Sequence, residues 1–233
     1  MKAIVFDTGP IISITLNNLL YVLRSLRKRY QGRFLITPAI KRELIDRPLK
    51  IKRFEFEALQ VMTMIEDHTL EIVDNSKVKR KADRLMRLAN SIYKAKGKYI
   101  QIVQQGEMEG LALVLLVKAE GFIVDERTTR YLLESPERVH SLMEHRLHTP
   151  VEVNREQLAL FKKEVGKFLV LRSAELVTVA FELGFTDQYL PKMPNGRTTL
   201  LDGLLWGMKL KGAAVSATEI ENLKLLALQP RKR

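Results

Sequence analysis

Apolar positions along this chain alternate between two periods. The run KAIVFD is short, rich in β-branched residues and ends on Asp7. Such a run predicts a strand buried on both faces. Asp7, Thr8, Gly9 and Pro10 form a turn cluster, and Pro10 suits the first turn of a following helix. Leu16, Leu19, Leu20, Leu23 and Leu26 then recur at helical spacing. RFLITP predicts a second strand. Thr37 fits an N-cap and Pro38 the first helical position, opening a helix over AIKRELI that Pro48 ends. A helix over about 53–67 and a third strand, LEIVD at 70–74, follow.

The segment KVKRKADRLMRLANSIYKAKGK, 77–98, predicts a basic helix and a turn, with Leu85, Leu88 and Ile92 facing inward. Gly106 marks another turn. GEMEGLALVLLVKAE predicts a helix that Gly121 caps, and GFIVD a fourth strand ending on Asp125. ERTTRYLLESPERVHSLMEH reads as helix broken at Pro136, and TPVEV, 149–153, as a fifth strand. Strands that alternate with helices predict an α/β fold, a parallel sheet flanked by helices, over 1–153. From about 154 the strand pattern stops. REQLALFKKEVGKFLVLRSAELVTVAFELGF reads as helical, PKMPNGR as a loop, and TLLDGLLWGMKLKG and SATEIENLKLLAL as two more helices. Residues 154–233 are thus expected to be a C-terminal helical module, with PRKR a frayed basic tail.

Composition narrows the function classes. A chain of 233 residues holds one medium domain with an appendage, or two small domains. Its 46 % hydrophobic residues can build a sizeable core. The formal net charge of +12 points to a polyanionic partner, nucleic acid first and an anionic membrane surface second. A charge-rich surface without a ligand is the plain alternative. Without cysteine there is no disulfide, no thiolate catalysis and no Cys-based metal site. The first apolar run ends at Asp7, and no uncharged stretch approaches the ~20 residues that span a bilayer. A soluble, cytoplasmic protein that uses no membrane is expected.

The acids carry the chemistry. Ligands of open α/β sheets bind outside the carboxyl ends of the strands. Asp7 closes the first expected strand and Asp125 the fourth, so both carboxylates belong at the same edge. Glu43 lies in the helix after the second strand. Glu107 and Glu109 open the helix that runs back to the strand ending in Asp125. Each acid alone has an ordinary reading. Asp7 could cap a helix, Glu43 could pair with Lys or Arg at i±4, Glu107 and Glu109 could favour a helix dipole, and Asp125 could be a loop charge. Together they predict a cluster, and clustered carboxylates persist when a cation neutralises them. An all-oxygen site suits Mg²⁺ or Mn²⁺. A carboxylate-held divalent pair beside a phosphodiester is the arrangement of two-metal phosphoryl transfer.

The stretches VFDTGPIIS, ITPAIKREL, GEMEGLALVLLVKAEG and FIVDERTTR stand in the order and at about the spacing of PIN-domain nucleases. Over residues 1 to about 153 the chain resembles that family. The resemblance implies a PIN fold, Mg²⁺ or Mn²⁺ dependence, and hydrolysis of single-stranded or structured RNA; a two-metal site would leave a 3′-hydroxyl and a 5′-phosphate. Single-stranded DNA is a second candidate substrate. The family's first, second and fourth acids fall on Asp7, Glu43 and Asp125. Its third falls on Glu107, on Glu109 or on both, since related flap nucleases carry a Glu-Ala-Glu pair in which both acids serve metals. Thr8 and Ser13 match polar positions that assist the site. Gly9 stands where many members have Asn, so any help from that side chain is missing here.

Lys77, Lys79, Arg80, Lys81, Arg84, Arg87, Lys94, Lys96 and Lys98 form a basic stripe with Tyr93 and Tyr99 interleaved. This stripe, with Arg127 and Arg130, is the expected phosphate-contacting surface, and the two tyrosines are candidates for stacking on bases. A solvated helix face explains the same pattern. Two further functions fit the sequence: a non-catalytic RNA-binding or assembly protein that keeps the fold, and the toxin of a toxin–antitoxin pair. The helical module separates them, as a dimerisation element, a substrate selector or a docking surface.

Overall fold

The structure, a computed structural model, describes residues 2–229; the tail PRKR lies outside the described residues. In chain order the first half comprises β1 (Ala3–Phe6), α1 (Thr8–Leu16), α2 (Leu20–Tyr30), β2 (Arg33–Ile36), α3 (Pro38–Lys41), α4 (Glu55–Glu66), β3 (Glu71–Ile72), α5 (Ser76–Ala89), β4 (Tyr93–Ala95) and β5 (Lys98–Tyr99). The second half comprises α6 (Gln105–Val117), β6 (Gly121–Ile123), α7 (Arg127–Glu134), α8 (Pro136–Leu147), β7 (Glu152–Val153), α9 (Arg155–Val165), β8 (Leu169–Leu171), α10 (Ser173–Glu182), α11 (Gly196–Leu210) and α12 (Ala217–Ala227).

Five of the strands form one parallel sheet in the order β3-β2-β1-β6-β8. Strand side chains alternate between faces, and the apolar runs use both. Ala3, Val5, Leu35, Phe122 and Val124 face a core closed by α5, α6 and α9. Phe6, Phe34, Ile36 and Ile123 face a second core closed by α1, α2, α4, α10 and α11. The fold is α/β, with helices on both faces of an all-parallel sheet, as the alternation of periods predicts.

Three strand assignments differ from expectation. TPVEV does not join the main sheet: Glu152 and Val153 pair antiparallel with Lys94 and Tyr93 of a separate three-stranded sheet. The fifth strand of the main sheet is instead β8, which pairs in parallel with β6 from Gly121↔Leu169 to Ile123↔Leu171. It lies in a stretch that reads as continuous helix. A three-residue strand between two helices leaves no period to detect, and only Gly166, at φ 69°, marks the break before it. The basic turn at 93–99 is a β-hairpin whose tip, Lys96 and Gly97, has positive φ at both residues. Sheet and cores both continue past residue 154: Phe161 and Val165 enter one core, and Ala174, Val177, Phe181 and Leu205 the other.

Local signals elsewhere match. Ile40 N–H donates to Thr37 Oγ1 at 3.3 Å, the N-cap bond, with Pro38 at the first position. After Lys41 the helix widens into a π-helical turn, Arg42–Asp46, in which Arg47 N–H donates to Arg42 C=O at 3.0 Å. That turn carries Glu43, and π-turns frequently occur where a helix must present a functional side chain.

Candidate active site

Strand order reverses at β1. The chain builds β2 and β3 on one side of it, then returns to place β6 on the other. Ligands of such sheets bind in the crevice at this switch point, outside the strand carboxyl ends. Asp7 directly follows β1, and its amide extends the ladder by donating to Ile123 C=O at 2.9 Å. Asp125 lies two residues beyond β6. Both carboxylates therefore stand at the switch point, flanking Gly9. A Cβ placed on Gly9 would lie 3.5 Å from Asp125 Cβ and 3.8 Å from Asp7 Oδ2.

A cavity of about 620 Å³ opens over this crevice, lined by Asp7, Glu43, Glu107 and Asp125. Glu43 accepts from Thr8 Oγ1 at 2.7 Å. Beside it Gly106 leaves room: a Cβ there would come within 3.4 Å of Glu43 Oε1. Glu107 accepts from the Gln104 amide at 3.1 Å, closing the first turn of α6, and from Thr129 Oγ1 at 2.7 Å. Asp125 is the most tightly held. It accepts from the Ser173 amide at 2.8 Å, from Ser173 Oγ at 2.6 Å and from Ser13 Oγ at 3.1 Å.

Glu109 points elsewhere. It accepts from Gln105 Nε2 at 3.2 Å, and the same amide group reaches Asp83 on α5. It does not line the cavity. Of the two glutamates that open α6, the structure brings only Glu107 to the other acids.

Burial sets the electrostatics. Asp7 is 7 % exposed, and its carboxyl is pushed up to about 7, first by burial and then by the charge of Glu107; the Thr8 and Gly9 amides oppose the shift. It occupies the N-cap position of α1 without closing a side-chain capping bond. Burial also raises Glu107, against the bonds from Thr129 and Gln104. Asp125 is raised by burial too, against Ser173, Ser13 and the Arg172 guanidinium. Low-dielectric surroundings disfavour each anion, and a nearby cation would reverse the sign.

The donors fit a hard divalent cation in type: four carboxylates, all oxygen, with Asp7 buried and without a cationic partner among the described residues. Coordination is not preformed. Among the described residues, no three Asp, Glu or His side chains are arranged as a metal-binding group. In this arrangement hydroxyl and amide donors take one oxygen of Glu43, one of Glu107 and both of Asp125.

The basic residues divide into groups. Arg127 and Arg146 line the cavity itself. Arg130 does not reach solvent: it is 5 % exposed and its Nη1 lies 3.6 Å from Glu219 of α12, which removes it from the expected phosphate-contacting set. Lys81 and Arg84 are ion-paired to Glu164 of α9. Lys79, Arg80 and Arg87 are exposed on α5, and Lys96 and Lys98 at the hairpin. Lys94 lies over the Tyr99 ring, 5.5 Å from its centroid. None of the α5 or hairpin cations lines the cavity. Tyr99 is exposed and free to stack, but Tyr93 is buried, donating to Pro136 C=O at 2.8 Å. Burial excludes Tyr93 from base stacking.

Sequence reasoning omits Ser173, Arg172, Thr129 and Arg146. Ser173 and Arg172 follow β8 at the same sheet edge as Asp7 and Asp125, so missing β8 hides them. Arg172 is buried and bridges Glu175 and Glu219, and its charge bears on Asp125. Thr129 is in FIVDERTTR, 22 residues from Glu107, and only the fold joins them. Comparison with protein-family models, with curated proteins and with solved structures returns no match.

Proposed function

We propose that the chain is a PIN-type, metal-dependent endoribonuclease. One observation carries this reading: Asp7, Glu43, Glu107 and Asp125, from four separate segments, line one cavity at the switch point of a parallel sheet. Mg²⁺ or Mn²⁺ held by these carboxylates would supply charge neutralisation of the phosphodiester and activation of water. The remaining chemistry belongs to the chain. Thr8 orients Glu43, Thr129 orients Glu107, and Ser13 and Ser173 fix both oxygens of Asp125. No side-chain nucleophile is needed. The net charge of +12 favours a polyanion over a neutral substrate.

A second reading, a non-catalytic RNA-binding protein with this fold, draws on the hydroxyl donors that already occupy three of the four acids. The two separate in a cleavage assay on RNA and single-stranded DNA with Mn²⁺, Mg²⁺ or EDTA. The nuclease reading expects metal-dependent RNA cleavage that Asp7→Asn lowers by at least ~10²-fold. Binding without cleavage of either polymer under every condition would leave the second reading.

A further inference from the structure

We infer that Arg146, with Arg127, is a positioning clamp that grips the phosphodiester of a single strand crossing the acidic cavity. This rests on the nuclease reading for the strand's fate, but not for its binding.

Arg146 lies in the last turn of α8 and Arg127 at the start of α7, two helices that meet at Pro136. Both line the same cavity as the four acids. Arginines beside so many carboxylates ordinarily pair with them. These two do not: neither makes an ion pair or side-chain hydrogen bond among the described residues. The contrast lies in their neighbours. Arg130 and Arg172 are buried and face Glu219, and Lys81 and Arg84 pair with Glu164. Among the described residues, only Arg127 and Arg146 bring unneutralised guanidinium groups to the cavity.

Opposite charges at one cavity sort a ligand by its parts. A bare cation is drawn to the carboxylates and repelled by the arginines; a bare anion meets the reverse. A phosphodiester strand together with a divalent cation satisfies both. Guanidinium forks match two non-bridging phosphate oxygens, which a lysine cannot do. Space is available. Gly9, Gly106, Gly212 and Ala214 line the cavity, and at Gly212 a Cβ would meet nothing within 4 Å. These four residues put no long side chain of their own over the acids. The expected α5 stripe lies outside the cavity, so its cations can guide a strand but cannot fix the register of the bond to be cut.

The experiment measures binding of a fluorescent single-stranded RNA against salt, in Mg²⁺ and again in EDTA, with Asp7→Asn as the background to suppress cleavage. Arg146→Gln is expected to weaken binding about tenfold and to make the log–log salt slope shallower by ~0.7, the value for one phosphate contact on a single strand. Arg127→Gln should act similarly, and Arg146→Lys should restore the slope but not the full affinity. Arg146 is exposed, so the melting temperature should not move. Inorganic phosphate as competitor separates a strand from a free anion: a strand-binding clamp resists millimolar phosphate. Unchanged affinity and slope in both Gln variants would overturn the clamp, as would full displacement by millimolar phosphate. If the slope changes but the wild-type protein cleaves no RNA with any metal, the clamp stands and the nuclease reading fails.

Discussion

Asp7 concentrates the physical tension of the site. A carboxyl nearly removed from water, with Glu107 beside it, favours its neutral form, so its folded pKa of about 7 lies above the ordinary carboxylate range. The sign of the linkage follows. The native state holds a proton that the unfolded chain releases near pH 4. The stabilisation from this group is therefore fully present below about pH 4 and lost as pH rises through about 7. The loss is on the order of 4 kcal/mol. In EDTA the melting temperature should fall between pH 5 and pH 8, and Asp7→Asn should flatten that fall and melt higher at pH 8. Thermal denaturation across that window checks it; a wild-type curve as flat as the variant's would mean the carboxyl is already compensated. That Asp7, Glu43 and Asp125 meet at one cavity was legible because strand ends and helix order place them. Choosing Glu107 over Glu109 was not, since the rotation of α6 against α5 decides it through Gln105 and Asp83.

Elements differ in how openly the sequence announces them. β1, β2 and α3 are bounded by strong punctuation: Asp7 before a turn, and Thr37 with Pro38. β8 has only three residues, one of them half exposed at the sheet edge, between two helices with apolar periodicity of their own. Its place in the sheet is set by pairing with β6, a contact 48 residues away in sequence at Asp125–Ser173. That element nevertheless shapes the site, because α10 begins at Ser173. Ser173→Ala would leave Asp125 with the Ser173 amide and Ser13 but without its 2.6 Å bond. Losing a hydrogen bond to a buried carboxylate costs about 1–3 kcal/mol. Urea denaturation at pH 8 should register that loss, and the proposed nuclease function adds slower RNA cleavage; Ser173→Thr should recover part of both. Unaltered stability would show that the Ser173 amide and Ser13 suffice to hold Asp125.

At the scale of the whole molecule, two cores sandwich one sheet, and residues beyond 154 contribute to both. The alternation of apolar periods foretells the α/β class, but not that the later helices complete the same layers. Periodicity reports which face of an element is apolar, and not what covers it. No helix among the described residues is long and apolar enough to cross a membrane. The chain carries an excess of positive charge, and two arginines line its acidic cavity, a juxtaposition that a phosphate backbone with a divalent cation would neutralise from both sides. The central claim is that Asp7, Glu43, Glu107 and Asp125 hold such a cation. Calorimetric titration with Mn²⁺ tests it without reference to any substrate. Wild type and Glu109→Gln are predicted to bind Mn²⁺ alike, with binding lost in Asp7→Asn and in Glu107→Gln. No Mn²⁺ binding by the wild type, or equal loss in Glu109→Gln, would contradict it.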